Sequence, residues 1–391
     1  MTDRRPAAAN QRALDMKRIL LGSTTLAGVA AMAGAAQASD GVKLDVGGFF
    51  QTVYEGVFDD KSDGHFGNNR NLDRFEHNAE IWFKGETTLD NGLTVGARIE
   101  LEGENATDQI DKSFVYWSGG FGRVQIGSQD GPIGGYCILP PGATANFSAF
   151  SPNAWGSNDP VGSNAACIDV LGNSQSILYT TPSFSGFQLR LGYTPSNNAE
   201  DYTQVGVNGS GTPTSPDGTA QHSFAAYATY SYSGDGWGVD WGGGGSWQGE
   251  FNQAAGVNDG RSDAYQTGLN LTFGNFGIGG VMEYFETGGD DNNAWVAGGG
   301  LSYGVDAWTV GLQASHGHYE GTGPALTFAA NPGGSRNLDR IILTGNYALG
   351  PGVDLDAELG YVWFKDTGDA ADNGTDDYSA FSAAIGSKLT F

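Results

Sequence analysis

Asp90-Asn91-Gly92-Leu93-Thr94-Val95-Gly96-Ala97-Arg98-Ile99-Glu100-Leu101-Glu102 opens on a turn and continues as an alternating strand. Asp-Asn-Gly supplies the positive φ that a tight hairpin needs. Past it, Leu93, Val95, Ala97, Ile99 and Leu101 share one face of an extended chain, while Thr94, Arg98, Glu100 and Glu102 share the other. The same pattern lies on both sides. Residues 74–86 set Phe75, Ala79, Ile81 and Phe83 against Arg74, Glu76, Glu80, Lys84 and Glu86. Residues 353–363 set Val353, Leu355, Ala357, Leu359, Tyr361 and Trp363 against Asp354, Asp356 and Glu358. A soluble sandwich gives this alternation too, so alternation alone does not say which face meets water.

The turns say more. Tight hairpin turns are read at Asp90–Gly92, Gly119-Gly120, Ser183–Gly186, Ser233–Gly236, Gly274-Asn275, Gly304–Asp306 and Gly350–Gly352. Longer polar connections fall between them, at 58–73, 103–109, 129–174, 195–219, 251–261, 288–292, 320–336 and 366–376. Short and long alternate strictly, so all short turns lie at one end and all long loops at the other. Seven short turns join fourteen strands, and a strand at each terminus makes sixteen. The expectation is an all-β fold, a sixteen-stranded antiparallel transmembrane β-barrel with strands of about ten residues. Closure removes the long edges of so wide a sheet, and a barrel this wide keeps an aqueous bore.

Aromatic residues bracket the short turns: Phe121, Phe184 with Phe187, Tyr232 with Trp237, Phe273 with Phe276, Tyr303 with Trp308, and Tyr347. In a barrel they form a girdle at one membrane surface. The final strand carries Phe381, Ala383, Ile385, Leu389 and Phe391 on one face.

Residues 1–38 read as a leader outside the fold. Met16-Lys17-Arg18 is a basic start, Ile19–Gly34 an apolar and small-residue run, and Ala36-Gln37-Ala38 a cleavage site before Ser39. Met16 is the expected start and 39–391 the single barrel domain; a membrane anchor is the alternative for 1–38. The whole chain carries a formal charge of −25. Removing the leader, with Arg4, Arg5, Arg12, Lys17 and Arg18 against Asp3 and Asp15, takes this to −28. So acidic a chain lacks the basic face that nucleic acid requires.

Gln129–Ser174 has no sustained period, and a connection this long is usually functional. It holds Cys137 and Cys167 and the acids Asp130, Asp159 and Asp169. An exported chain with two cysteines favours one disulfide, with two free thiols as the alternative. The segment is expected to fold into the lumen and narrow it.

Asp90–Ala97, Ile110–Gly119 followed by Phe121–Gly127, and Tyr179–Leu189 resemble the general porins of Gram-negative bacteria, most closely those of α-proteobacteria. The resemblance runs over essentially all of 39–391. It implies a homotrimer of sixteen-stranded barrels in an outer membrane of lipid and lipopolysaccharide. It also implies that the third long loop sets the narrowest point, that small hydrophilic solutes pass, and that no cofactor is needed. The chain departs from the acidic Pro-Glu-Phe-Gly-Gly stretch of enterobacterial third loops: Gly131-Pro132-Ile133-Gly134-Gly135-Tyr136 stands there instead.

The constriction wall is expected to comprise Arg74, Glu80, Lys84, Arg98, Glu100, Arg123 and Arg190, facing Asp130, Asp159 and Asp169 on the loop. A substrate-specific channel with a saturable site is the alternative. An enzyme would draw on Ser315 with His316 and His318, although no acid partner for them is evident in the sequence. His316-x-His318 also has the spacing of two metal ligands on one strand face. Asp366–Asp377 is acid-rich and offers a loop site for Ca²⁺, without the EF-hand spacing.

Overall fold

The computed structural model describes residues 41–59, 73–103, 110–150, 164–196, 221–248, 262–287, 293–320, 335–366 and 378–391. The leader, its cleavage site, Asp159 and the acids of 367–377 lie outside these residues.

Among the described residues the chain forms sixteen strands. They are β1 (Lys43–Asp59), β2 (Asp73–Thr88), β3 (Thr94–Glu102) and β4 (Ile110–Gly119). Next come β5 (Gly122–Ser128), β6 (Gln175–Thr180), β7 (Phe187–Ser196) and β8 (Gln221–Gly234). Then follow β9 (Trp237–Trp247), β10 (Ser262–Phe273), β11 (Phe276–Thr287) and β12 (Asn293–Val305). The last are β13 (Trp308–Glu320), β14 (Ser335–Gly350), β15 (Val353–Asp366) and β16 (Tyr378–Thr390). Each strand pairs with its sequence neighbours, and β1 pairs with β16 to close the barrel. The seam continues past β16: Gly48 and Phe391 exchange both backbone hydrogen bonds, at 2.9 and 3.0 Å.

All seven expected hairpin turns form. Two of them show the turn chemistry directly, with Gly236 at φ 80° and Asp306 at φ 52°, where short or absent side chains tolerate left-handed backbone. Strand length departs from the expected ten residues. β1 has 17 and β2 has 16, while β5 and β6 have 7 and 6. The short pair flanks 129–174, where the chain leaves the sheet early.

Alternation resolves into two faces. Leu191, Leu269, Ile278, Leu301, Leu312, Leu343, Leu359 and Ile385 are all exposed. Unpaired apolar side chains in such number are suited to lipid, which makes theirs the outer face. The expected girdle is present as touching pairs, Tyr232 with Trp237 at 4.7 Å, Phe276 with Tyr303 at 4.6 Å and Trp308 with Tyr347 at 4.4 Å. A second belt, unread in the sequence, lies toward the opposite rim: Tyr54 with Phe75, Tyr193 with Phe224, and Tyr361 with Trp363.

Leu93 departs from the face its alternation gave it, while Asp356 and Glu358 keep to the face opposite the apolar side. Leu93 is buried, because it belongs to the turn, where its N–H donates to Asn91 Oδ1 and its carbonyl accepts from Leu89. Asp356 and Glu358 are buried on the inner face, where Asp356 accepts from Asn146 and Asn346 and Glu358 from Ser382. The main apolar core lies on this inner face too. Ala149, Phe150 and Ala166 of the β5–β6 segment pack with Val281, Phe285, Leu338, Ile342 and Val362.

Candidate functional site

Residues 138–143 and Asn164 of the β5–β6 connection are hydrogen-bonded by groups on β8, β10, β13 and β14. Tyr227 on β8 accepts from the Ile138 N–H, and Asn270 on β10 donates to the Leu139 carbonyl at 2.8 Å. Gln313 on β13 donates to the Pro140 carbonyl at 2.8 Å, and Thr344 on β14 accepts from the Ala143 N–H at 3.1 Å. Asn164 donates to Ser315 Oγ and to the Leu338 carbonyl, each at 2.9 Å. Backbone groups taken out of water need such partners.

Glycines make room for the segment. A Cβ on Gly268 would collide with the Ile138 carbonyl, one on Gly300 with the Pro141 carbonyl, and one on Gly311 with the Ala143 N–H. A Cβ on Gly192 would meet the Pro132 ring at 2.7 Å. The glycine-rich strands β9 to β13 are therefore shaped for a backbone lying against them. Beside them, a Cβ on Gly298 would meet the Phe150 ring at 2.7 Å and one on Gly242 the Ile138 side chain at 2.9 Å.

Cys137 and Cys167 form a disulfide, with Cα atoms 5.7 Å apart. The Glu283 carboxylate of β11 accepts from the N–H groups of Cys167 and Ile168, so a wall side chain holds the segment beside the bridge. Asp169 accepts from Ile133 at 2.7 Å and Leu171 at 3.0 Å, and more distantly from Gly134. Burial pushes its carboxyl above the usual range, against the downward pull of those three N–H groups. Asp169 is an internal brace of the segment rather than a charge facing a wall base.

Five of the expected charges come together. Glu80, Arg98, Glu100, Arg123 and Asp130 line one cavity of about 410 Å³ on the inner side of β2 to β6. Lys112, missed in the sequence, joins them and is its hub. Its Nζ lies 3.1 Å from Glu100, 3.0 Å from Asp111 and 3.2 Å from Asp130, while Arg98 Nε lies 2.5 Å from Glu100. The pairing of β3 with β4 slips between Glu100 and Leu101, which brings Asp111 alongside Lys112. Acid oxygens of Glu80, Glu100 and Asp111 lie within 4.8 Å of one another, and the ammonium of Lys112 supplies the cation there.

The remaining expected wall bases lie elsewhere. Arg74 pairs with Glu76 and lies 3.6 Å from Glu55, and Lys84 lies 3.1 Å from Glu86. Arg190 is buried, donates to Thr229 and Gln188, and stacks 3.8 Å from the Tyr136 ring. It supports Tyr136 from behind, because that aromatic covers it. The Arg123 guanidinium lies 3.8 Å from the Tyr116 ring.

Ser315 and His316 occupy alternate positions on β13. Ser315 is buried on the inner face and donates to the Ala149 carbonyl, whereas His316 contacts Asp339 and Trp295 on the outer face. A Ser–His nucleophile pair does not form there. His318 contacts Asn337 at 2.8 Å and lies 3.5 Å from Glu320, so both histidines belong to the aromatic belt at the long-loop rim.

A family model described as Gram-negative porin matches residues 23–367. A "Monosaccharide porin" of Halomonas sp is 28% identical over 190 residues, 45% of this chain and 49% of that protein. The match thus spans about half the length of that relative. "Major outer membrane protein P.IB" of Neisseria gonorrhoeae is 29% identical over 144 residues, 33% of this chain and 37% of that protein. Among solved structures, an anion-selective porin from Comamonas acidovorans superposes with a TM-score of 0.54 at 17% identity, covering 90% of this chain and all of that one. A loop-deletion mutant of OmpT, an outer membrane protein of Vibrio cholerae, gives 0.57 at 14% identity over 90% of this chain.

Proposed function

The chain belongs to the Gram-negative porin family, and from that premise we propose that it is an outer-membrane channel for passive diffusion of ions and small hydrophilic solutes. The observation that carries this is the division of the wall. Its outer face exposes apolar and aromatic side chains, whereas its inner face holds the paired charges around Lys112. Sixteen strands enclose a bore too wide for side chains to fill.

In this reading residues 129–150 and 164–174 occupy part of the bore against β7 to β14, and the narrowest passage runs beside β2 to β5. Its hydrogen bonds to inner-face side chains and the glycines beneath it support that placement. The functional unit is a homotrimer in lipid and lipopolysaccharide, reached after cleavage of the leader behind Ala38. No cofactor takes part, because the solute gradient drives the flow.

The test is swelling of proteoliposomes in isotonic sugars of increasing size. The rate should exceed that of protein-free vesicles and fall steeply with solute mass. Swelling no faster than in protein-free vesicles would contradict the reading.

A further inference from the structure

The geometry points to a saturable site for neutral, polyhydroxylated solutes of monosaccharide size in the cavity between β2–β6 and the first residues of the β5–β6 segment. This rests on the channel reading and sharpens it from open diffusion to diffusion past a binding site.

The first argument is charge balance. The cavity is lined by three carboxylates, Glu80, Glu100 and Asp130, and three cations, Arg98, Lys112 and Arg123. Four of the six are tied to one another through Arg98–Glu100, Lys112–Glu100 and Lys112–Asp130 contacts of 2.5 to 3.2 Å. Asp111, 3.0 Å from Lys112, adds a fourth acid behind them, so the cluster is close to charge-balanced rather than a strong attractor of ions of either sign. A hydroxyl can donate to a carboxylate or accept from an ammonium without separating the paired charges.

The second is the mixture of surfaces. Phe114 and Tyr136 line the same cavity as those charges and Gln125. Tyr136 is held in place by the guanidinium of Arg190, and Phe114 lies 6.3 Å from Tyr116. Ring faces beside a dense set of donors and acceptors suit a solute with an apolar C–H face and a polar rim.

The third is size and position. A cavity of about 410 Å³ falls in the range of small-molecule sites, and it lies on the side of the bore away from the glycine-docked stretch.

The experiment is single-channel recording of the purified full-length protein in planar bilayers with D-glucose added to both sides. The expected result is a current that falls along a saturating curve, beyond the proportional fall in bulk conductivity. Phe114→Leu and Tyr136→Ala should each raise the half-saturating glucose concentration about tenfold, equivalent to roughly 1.4 kcal/mol. Gly345→Ala, at a position with open space around a Cβ, should leave the curve unchanged. A current that tracks bulk conductivity alone would overturn the site, as would saturation by glycine or L-serine in place of glucose. Saturation that persists unchanged in both ring variants would place binding elsewhere. Open-channel steps without glucose report on the channel reading separately: steps with no saturation would sink only the binding site, and the absence of steps would sink both.

Discussion

Lys112 Nζ lies 3.2 Å from the Asp130 carboxylate, so a base on β4 is tied to an acid at the start of the β5–β6 segment. The same ammonium also offsets Glu100 and Asp111. Lys112→Gln removes that offset. A unit charge acting across about 7 Å of water is worth roughly 0.6 kcal/mol, about threefold in local ion concentration. The wild-type channel, with its acidic long loops, should be weakly cation-selective at low salt, and the selectivity should fade as salt screens the vestibule. Lys112→Gln should strengthen it at both ionic strengths, while Lys112→Arg should not. Reversal potentials under a potassium chloride gradient give the comparison; anion selectivity of the wild type at both salt levels would contradict it.

Gly268 lies under the Ile138 carbonyl, where no Cβ fits. Gly268→Val should therefore lift the segment from β10 while leaving the barrel closed, because the β9–β10–β11 pairing does not depend on it. The variant should keep a heat-modifiable band on gels and show an altered single-channel conductance. Unaltered conductance in a folded Gly268→Val protein would show that the segment does not set the passage.

The Cys137–Cys167 bridge closes a loop with a sequence separation of 30, worth roughly 3–4 kcal/mol in the chain-entropy account. Reduction, or Cys137→Ser with Cys167→Ser, should broaden the distribution of conductance levels without unfolding the barrel. Glu283→Ala should act in the same direction, since it strips two N–H groups of their acceptor at about 1–3 kcal/mol each. Conductance histograms before and after reduction decide this, and identical narrow histograms would argue against a bracing role.

Asp169 should be replaceable by Asn with less damage than by Ala. Burial already disfavours its charge, so its value lies in acceptor oxygens for Ile133 and Leu171, and Asn retains one. The readout is the same histogram, and equal effects of Asp169→Asn and Asp169→Ala would contradict the account.

Leu359, midway along β15, is exposed on the outer face, and an arginine there should cost about 2–4 kcal/mol near the bilayer midplane. Leu359→Arg should reduce the yield of folded, heat-modifiable protein. Cysteines at Leu355 and Leu359 should resist water-borne thiol reagents. Labelling of either as fast as a cysteine at exposed Asn91 would contradict the lipid-facing assignment.

The barrel was legible because it rests on local signals. Asn91-Gly92 and its counterparts fix hairpins, and period-two alternation between them fixes faces. The bounds of the segment at Gln129 and Ser174 were legible for the same reason. The site was legible only in part. Lys112 was missed because β4 has no polarity contrast between its faces: Lys112, Phe114 and Tyr116 share one, Ser113, Val115 and Trp117 the other. Arg190 was placed on the passage because alternation shows that a residue faces inward, not that Tyr136 covers it. Asp169 carried the same formal charge as Asp130, yet one braces the segment and the other faces Lys112, a difference set by chain path. The purpose of the inner-face glycines depends on a partner distant in sequence, as Gly268 does on Ile138.

The central claim is a water-filled channel, and single-channel conductance as a function of potassium chloride concentration tests it most directly. A bore that ions cross with their hydration largely intact should give discrete steps. Above the low-salt range those steps should rise in proportion to bulk conductivity. Folded protein that gives no steps, or a conductance that levels off at low salt and stays flat, would contradict the account.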